Sequence, residues 1–279
     1  MDILGLLRQR AREVARRDGI QPPTQEIYVH YVLEGFLARL AASPYREDFV
    51  LKGGLLLGVY TGRRFTKDID SNAVSVTVDA AELRTIATSI ARIDIGDGVV
   101  FDPERLTTRE IRETDDYPGI RLKMPARISS WEGVFAWDVS TGDPIVPNPQ
   151  WITISHEPGE SLQVLSYPPE AIMAEKVVTI LERSITSTRW KDYVDILDLY
   201  RAGLDESALV AALKAVARHR GVELRPIAGL MDGYGDVYQN RWATWRKKEN
   251  LEGKTEANLD SQLAKMATIL DPMLVSAVE

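Results

Sequence analysis

Residues 49–70 read FVLKGGLLLGVYTGRRFTKDID, and this stretch decides the fold class. The apolar run Phe49–Leu51 predicts a short strand, and the pair Gly53-Gly54 follows it directly. The next apolar residues, 55–60, are typical of a helix that packs against a sheet. A second strand is expected from Asp68 to Val78, because valines alternate along its second half. Strand, glycine turn, helix and strand together predict an α+β sheet core.

Two carboxylates mark the start of this second strand. Asp68 and Asp70 are two residues apart, so a strand presents both on one face. Like charges at this spacing repel unless a cation lies between them, and hard oxygen ligands suit Mg²⁺ or Mn²⁺. The free amides that begin a helix at Gly53 and Gly54 favour an anion such as a triphosphate. An ordinary loop pair and an ordinary tight turn are the competing interpretations.

Further charges surround this stretch. Arg63, Arg64 and Lys67 form a positive group between the glycines and the carboxylates. Asp138 lies in the apolar strand candidate 134–139, where a charge must face solvent, find a partner or bind a metal. Three carboxylates on adjacent strands beside a helix start predict a two-metal phosphoryl-transfer site.

The remaining chain divides into a mixed part and a helical part. Helices are expected at 2–17, 24–40 and 79–93, and strands at 99–101, 106–112 and 120–126. A proline-rich loop follows near residues 144–149, and a long helix is expected from Pro168-Pro169 to Arg183. Later helices are expected at 188–202, 206–219 and 257–277. We therefore predict a core with N-terminal helices over residues 1–165 and a helical C-terminal domain over 166–279.

Composition excludes several classes of protein. The chain has 279 residues, a net charge of −7, 44% hydrophobic and 27% charged residues, which are globular values. It has no cysteine, which removes disulfides, thiolate zinc sites and cysteine nucleophiles. No apolar run approaches the ~20 residues of a membrane span, and the N-terminus lacks the apolar centre of a signal peptide. The expectation is a soluble protein of the cytoplasm with no membrane partner.

Two basic stretches interrupt the acidic background. Arginines crowd residues 8–17, and residues 241–248 interleave Arg241, Arg246, Lys247 and Lys248 with tryptophans. Each stretch is explained either by a solvated helix face or by contact with the phosphates and bases of RNA.

Four segments in order resemble one family. Gly53-Gly54 followed by RFTKDID at 64–70 resembles the first motif of the nucleotidyltransferase superfamily, in particular of the AbiEii/AbiGii toxin type, which includes the MenT toxins. DVSTGD at 138–143 is similar to the third-carboxylate strand of that family. AEK at 174–176 and RWKDYVD at 189–195 are similar to its lysine helix and its Arg-x-Lys-Asp-x-x-Asp signature.

The resemblance implies a nucleotidyltransferase-like mixed sheet flanked by helices, with a helical C-terminal part that completes the active site. It implies transfer of NMP from an NTP, with Asp68, Asp70 and Asp138 holding Mg²⁺ or Mn²⁺. Lys176 would neutralise the triphosphate, and Asp192 would position the nucleotide or act as a base. The residues expected at the nucleotide are Gly53, Gly54, Arg64, Thr66, Lys67 and Arg189. Without the resemblance, Lys176 is a solvated helix lysine, and Asp192 forms a salt bridge with Arg189 or Lys191.

The resemblance also implies partners. The acceptor would be RNA, with the 3′ end of tRNA as the first choice, and an antitoxin protein would neutralise the toxin. Two other functions stay open: transfer of NMP to a protein or a small molecule, and a non-catalytic nucleotide-binding module.

Overall fold

The chain folds into two compact units in the computed structural model. The structure describes residues 2–62, 65–111, 119–156, 160–186 and 188–278. Unit 1 comprises Met1–Gly142 and Pro149–Tyr167, and unit 2 comprises Asp143–Asn148 and Pro168–Glu279. Within the described ranges, no helix is both long enough and apolar enough to cross a membrane.

Unit 1 combines helices with one mixed sheet. Its helices are α1 (Ile3–Asp18), α2 (Thr24–Ala41), α3 (Gly53–Thr61) and α4 (Ala80–Ala91). Its strands are β1 (Phe49–Lys52), β2 (Ile69–Ala73), β3 (Val99–Phe101), β4 (Thr107–Ile111), β5 (Gly119–Ile128), β6 (Trp131–Ser140), β7 (Gln150–His156) and β8 (Glu160–Ser166). The strand order is β3-β5-β6-β2-β1-β8-β7, and β4 pairs with β5. The α+β prediction with a mixed sheet core is therefore confirmed.

The centre of the sheet joins the quoted stretch to β6. β1 pairs antiparallel with β2, and β2 pairs parallel with β6. Aromatic side chains cover one face of these strands, where Phe36 of α2 stacks on Phe135 with ring centroids 4.2 Å apart. Trp137 of β6 is fully buried and donates from Nε1 to Ser71 Oγ at 3.0 Å. Helix α2 thus packs on the sheet through rings and leaves the opposite face for the charged residues described below.

β2 is shorter than the sequence predicted. It begins at Ile69 and ends at Ala73, so Asp68 lies just before the strand and the alternating valines lie beyond it. Its partner β1 begins at Phe49, opposite Ala73, and the pairing ends with the bond from Val74 N to Asp48 O at 2.9 Å. No described residue pairs with this segment beyond that bond, so the valine alternation does not continue as a strand.

Strands β7 and β8 and one helix, Tyr234–Lys248 in unit 2, were not expected from the sequence. β7 and β8 form an antiparallel hairpin, and β8 attaches to β1 through the pair Leu51 and Ser166. Polar residues such as Gln163 alternate with Leu162 and Val164 in β8, and this alternation is a weaker strand signal than the apolar runs of the other strands.

Asp79 caps α4 as expected, accepting hydrogen bonds from the Ala81 and Glu82 amides.

Unit 2 is helical in the described ranges. It contains α5 (Pro169–Arg183), α6 (Trp190–Ala202), α7 (Glu206–Arg220), α8 (Tyr234–Lys248) and α9 (Leu259–Val278). The short segment 143–148 is held to α7 by Arg220, which donates to both oxygens of Asp143 at 2.8 and 2.6 Å. α8 was not predicted, because its charged and aromatic residues have no clear apolar stripe.

A buried ion pair ties α2 to β3. Arg39 donates to both oxygens of Asp97, at 2.7 and 2.8 Å, and both side chains are at most 4% exposed. The same guanidinium donates from Nη1 to Gly35 O and from Nη2 to Val99 O, so both terminal nitrogens are bonded, whereas the buried Nε has no hydrogen-bond partner among the described residues. Removing one partner would leave the other charge buried and uncompensated.

We therefore expect Asp97→Asn to lower the free energy of unfolding by about 3–5 kcal/mol. Glu104→Gln is the matched control, since Arg92–Glu104 is an exposed pair with side chains 63% and 80% accessible. That control should change stability by less than about 0.5 kcal/mol. Guanidinium denaturation of both variants measures the difference, and equal losses would contradict the structural role of the Arg39–Asp97 pair.

Candidate active site

Four charged residues lie side by side across four strands of unit 1. The strand register places Lys52 of β1 opposite Asp70 of β2, Asp70 opposite Asp138 of β6, and Asp138 opposite Arg121 of β5. Directly opposite residues project on the same face of a sheet. We call Lys52, Asp70, Asp138 and Arg121 the charge row; it has a cation at each end and two carboxylates at its centre.

Asp68 joins the charge row from the turn before β2. Arg121 Nη2 lies 3.2 Å from Asp68 Oδ2, and Thr66 Oγ1 donates to Asp68 Oδ1 at 3.0 Å. Asp138 is bound more tightly, with Arg121 Nε and Nη2 each donating to one of its oxygens at 2.6 Å. The structure therefore brings Asp68, Asp70 and Asp138 together, with the Arg121 guanidinium bridging Asp68 and Asp138.

Asp70 lies between the other acids and has a perturbed pKa. Burial, together with the charges of Asp68 and Asp138, raises the pKa of the Asp70 carboxyl to about 6, against the lowering effects of Lys52 and of the hydrogen bond from the Gly54 amide. The ionised form of Asp70 is disfavoured by its surroundings, and a cation bound beside it would stabilise that form. The donor chemistry of these three carboxylates thus fits a divalent metal ion.

The two glycines allow α3 to start against Asp70. Gly53 has φ +70°, and a Cβ there would collide with the Asp70 carboxylate. At Gly54 a Cβ would come within 2.9 Å of Thr66 Oγ1. The Gly54 amide donates to the Asp70 carboxylate, so this helix start already binds a negative charge, that of Asp70.

The neighbouring cations are only partly described. Lys67 is exposed beside Asp68. The predicted nucleotide residue Arg64, with its neighbour Arg63, lies outside the described residues.

Arg121 and Lys52 were both missed in the sequence analysis. Cations at residues 121, 123 and 127 alternate with apolar residues along β5, and this is the signal that could have drawn attention to Arg121. Lys52 is buried at the end of an apolar strand, with its ammonium 5.4 Å from the centre of the Tyr167 ring. Their placement beside the acids depends on strand register, which the sequence does not display.

Unit 2 gathers its predicted residues into a second charged group. Lys176 of α5 donates to Asp192 Oδ1 at 2.6 Å and to Asp195 Oδ2 at 2.9 Å, both on α6. Arg189 Nε donates to Asp192 Oδ2 at 2.7 Å. Burial lowers the pKa of the Lys176 ammonium, but the two carboxylates outweigh it and the pKa lies above its usual value. Lys176 is thus an ion-paired buried lysine, and the expectation of a solvated one is wrong.

The histidines belong to no metal cluster in the described part of the chain. His30 Nε2 lies 3.1 Å from Glu34 Oε1, and His156 stacks on Tyr31 with ring centroids 5.7 Å apart. Across all described residues, no three acidic or histidine side chains stand in an arrangement that could hold a metal as they are now placed. Asp138 is not available as a metal ligand in this arrangement, because both of its carboxylate oxygens accept hydrogen bonds from Arg121.

The mixed sheet flanked by helices and the helical unit 2 agree with the nucleotidyltransferase-like fold that the sequence predicted. The family model for "Nucleotidyl transferase AbiEii toxin, Type IV TA system" matches residues 35–272. This chain therefore belongs to the AbiEii family of nucleotidyltransferase toxins, and the resemblance stated above is confirmed. Membership of a toxin–antitoxin family implies an antitoxin partner.

Solved structures with similar chains have low sequence identity. JHP933 from Helicobacter pylori is 17% identical, with a TM-score of 0.49, and the match covers 90% of this chain and 94% of that one. An antigenic nucleotidyltransferase-like protein from Paracoccidioides brasiliensis is 14% identical, with a TM-score of 0.40, and the match covers 73% and 91%. Among curated proteins, none matches this chain.

We expect Gly53→Ala to displace Asp70 and to abolish nucleotidyl transfer. Its free energy of unfolding should fall by about 2 kcal/mol or more, because the positive φ and the collision with Asp70 act together. Gly19→Ala is the control: Gly19 has φ +66°, and nothing lies within 4 Å of the added Cβ. It should lose only about 1 kcal/mol and keep its activity. Denaturation curves and transfer rates of the two variants test this, and equal effects would contradict it.

We expect Lys176→Met to lower the free energy of unfolding by about 3–5 kcal/mol, because two buried carboxylates lose their shared cation. Lys191→Met is the control on α6; the Lys191 side chain is 52% exposed, and its ammonium lies 4.0 Å from Glu249 Oε2. That control should change stability by less than about 0.5 kcal/mol. Guanidinium denaturation measures both, and a stable Lys176→Met protein would contradict the ion-pair role.

Proposed function

We propose that this chain transfers NMP from an NTP to the 3′ end of tRNA or another RNA, releases pyrophosphate and so blocks translation. The observation that carries the proposal is the convergence of Asp68, Asp70 and Asp138 beside the Gly53-Gly54 helix start, in a chain of the AbiEii family. A bound Mg²⁺ or Mn²⁺ would stabilise charge on the phosphates during transfer.

The residues of unit 1 have distinct roles in this proposal. Asp68 and Asp70 hold the metal, and Asp138 is either a third ligand or the group that accepts the proton of the attacking hydroxyl. Thr66 orients Asp68 through its hydroxyl, 3.0 Å from Asp68 Oδ1. Gly53, Gly54 and Lys67 bind the nucleotide in this proposal. Arg64 enters the proposal on the family resemblance alone.

The residues of unit 2 also enter on that resemblance. Lys176 is proposed to act on the triphosphate, Asp192 to position the nucleotide or act as a base, and Arg189 to bind the nucleotide. The measured contacts give each of them an ion partner within unit 2. Loss of transfer in a Lys176 variant therefore supports a role in the reaction only if the variant is shown to be folded.

The RNA acceptor is supported by exposed arginines on α1. Leu4, Leu7, Ala11 and Val14 face the core, and the exposed face bears the arginines of the helix at positions 8, 10, 12, 16 and 17. Such a face suits a phosphate backbone and predicts binding that weakens with salt.

The second basic stretch supports RNA binding less than expected. Trp242 is fully buried, donates to Glu256 O and cannot stack on a base. Arg246 is also buried and bonded to Thr255 and to the backbone of Glu252. Only Arg241, Lys247 and Lys248 remain as exposed cations of this segment. The proposal accordingly assigns binding of the RNA acceptor to α1. It also places the protein in the cytoplasm, because tRNA and translation are there.

The test is transfer of label from each α-³²P-NTP, with Mg²⁺, to total tRNA. We expect one NTP to label the tRNA band, and Asp68→Asn to reduce the rate by at least about 100-fold. Asp236→Asn, an exposed acid on α8, serves as the matched control and should keep the full rate.

Each other outcome has a defined meaning. Label in protein or in a small molecule, and none in tRNA, would replace the acceptor and keep the reaction. No label in any fraction, with growth inhibition that survives Asp68→Asn, would overturn the reaction in favour of a non-catalytic nucleotide-binding module.

A further inference from the structure

Arg121 bridges the acids at which the proposed metal would bind. Its guanidinium donates to Asp138 Oδ1 and Oδ2 at 2.6 Å each and to Asp68 Oδ2 at 3.2 Å. Paired donation to one carboxylate is the strongest geometry that arginine offers. A single cationic side chain therefore neutralises two of the three carboxylates.

A divalent cation would need these same oxygen atoms. Mg²⁺ and Mn²⁺ bind carboxylate oxygens directly at short range, and each oxygen that accepts from Arg121 is partly neutralised. The guanidinium and a metal ion cannot both lie between Asp68 and Asp138. Metal binding and the Arg121–Asp138 pair are thus in competition.

Arg121 is placed so that it can leave this pair. Its side chain is 35% exposed, and that of Asp138 is 13% exposed, so the pair is reached by solvent. Pairs of this kind are held less firmly than fully buried ones, because water can replace the lost hydrogen bonds. Because Arg121 lies on β5, next to β6, its displaced guanidinium would remain close to the proposed metal ligands Asp68 and Asp138.

A second arginine lies beside it. Arg109 of β4 is directly opposite Arg121 in the strand register and is exposed. Like charges at opposite positions on neighbouring strands are unfavourable by themselves and are relieved by a multivalent anion. Guanidinium groups match phosphate oxygens in the paired geometry that they use for carboxylates. The anion that suits this arrangement is the triphosphate of a nucleotide.

We infer that Arg121 is an exchangeable counter-ion: it neutralises Asp68 and Asp138 in the free protein, and on metal and nucleotide loading its guanidinium moves to a phosphate of the triphosphate, beside Arg109. This inference rests on the proposed function. It gives Arg121 opposite effects on two ligands, since it competes with the metal and assists the triphosphate. A residue that only stabilised the sheet would weaken both or affect neither.

The test measures Mn²⁺ binding to the full chain without nucleotide, by electron paramagnetic resonance of free Mn²⁺. We expect Arg121→Met to bind Mn²⁺ about tenfold or more tightly than the unchanged protein, because the competing cation is gone. At saturating Mn²⁺, calorimetry with inorganic triphosphate should show at least about tenfold weaker binding by the same variant. Arg127→Met, on the same strand and exposed, should match the unchanged protein in both titrations.

A second variant guards against a folding defect. Arg121→Lys keeps the positive charge and loses the paired donors, so it should bind Mn²⁺ more tightly than the unchanged protein and less tightly than Arg121→Met. If both variants bind Mn²⁺ no more tightly than the unchanged protein, the exchange is overturned while the proposed function stands. If Arg121→Met fails to fold, the Mn²⁺ affinity of Arg121→Lys decides in the same way. If the folded, unchanged protein binds no Mn²⁺, the metal-dependent function and the exchange are both overturned.

Discussion

Repulsion between carboxylates is the constraint around which unit 1 is built. Asp70 and Asp138 are opposite each other on parallel strands about 4.8 Å apart, and Asp68 approaches from the preceding turn. The protein offsets this repulsion with Lys52 and Arg121 at the ends of the charge row and with the Gly54 amide at Asp70. A Cβ at Gly53 would overlap the Asp70 carboxylate. The position of the acids therefore depends on the glycine turn that begins α3.

Unit 2 uses a similar combination of charges with a different degree of burial. Lys176 is shared by Asp192 and Asp195, and its side chain is 14% exposed, compared with 35% for Arg121. A buried ammonium that loses its partners must be desolvated without compensation, so this pairing is costly to open. The more accessible guanidinium can exchange partners with water and anions at lower cost. Lys176 is thus the more firmly held of the two cations, and Arg121 is the one that exchanges partners at lower cost.

The acids and the glycines could be proposed as a site from the sequence, because their spacing together with the resemblance to one family indicates the chemistry. Asp68 and Asp70 share a motif with Gly53-Gly54, and Asp138 is a rare charge within an apolar strand. Arg121 was not assigned, since its importance comes from facing Asp138 across the β5–β6 hairpin, and the register of a hairpin is set by the exact position of its turn, here between Ile128 and Trp131. The length of β2 was wrong for a different reason: it depends on where its non-adjacent partner β1 begins. The helix α8 was missed because its buried side chains are aromatic and basic.

The tryptophan-rich segment shows why basic and aromatic residues together are an ambiguous signal. Arg246 lies over the ring of Trp242 at 5.9 Å, and Trp242 packs on Trp245 with centroids 5.2 Å apart. Cation–π contact and stacking are also the interactions by which proteins bind unpaired bases. In this chain they serve the interior of unit 2, so composition overstates the RNA-binding surface there. Helix α1 differs, because its buried residues are apolar and its arginines are exposed, although Arg8 donates to the Tyr28 hydroxyl and Arg17 is paired with Asp18. For a protein with net charge −7, attraction of RNA depends on such local placement and not on the total charge.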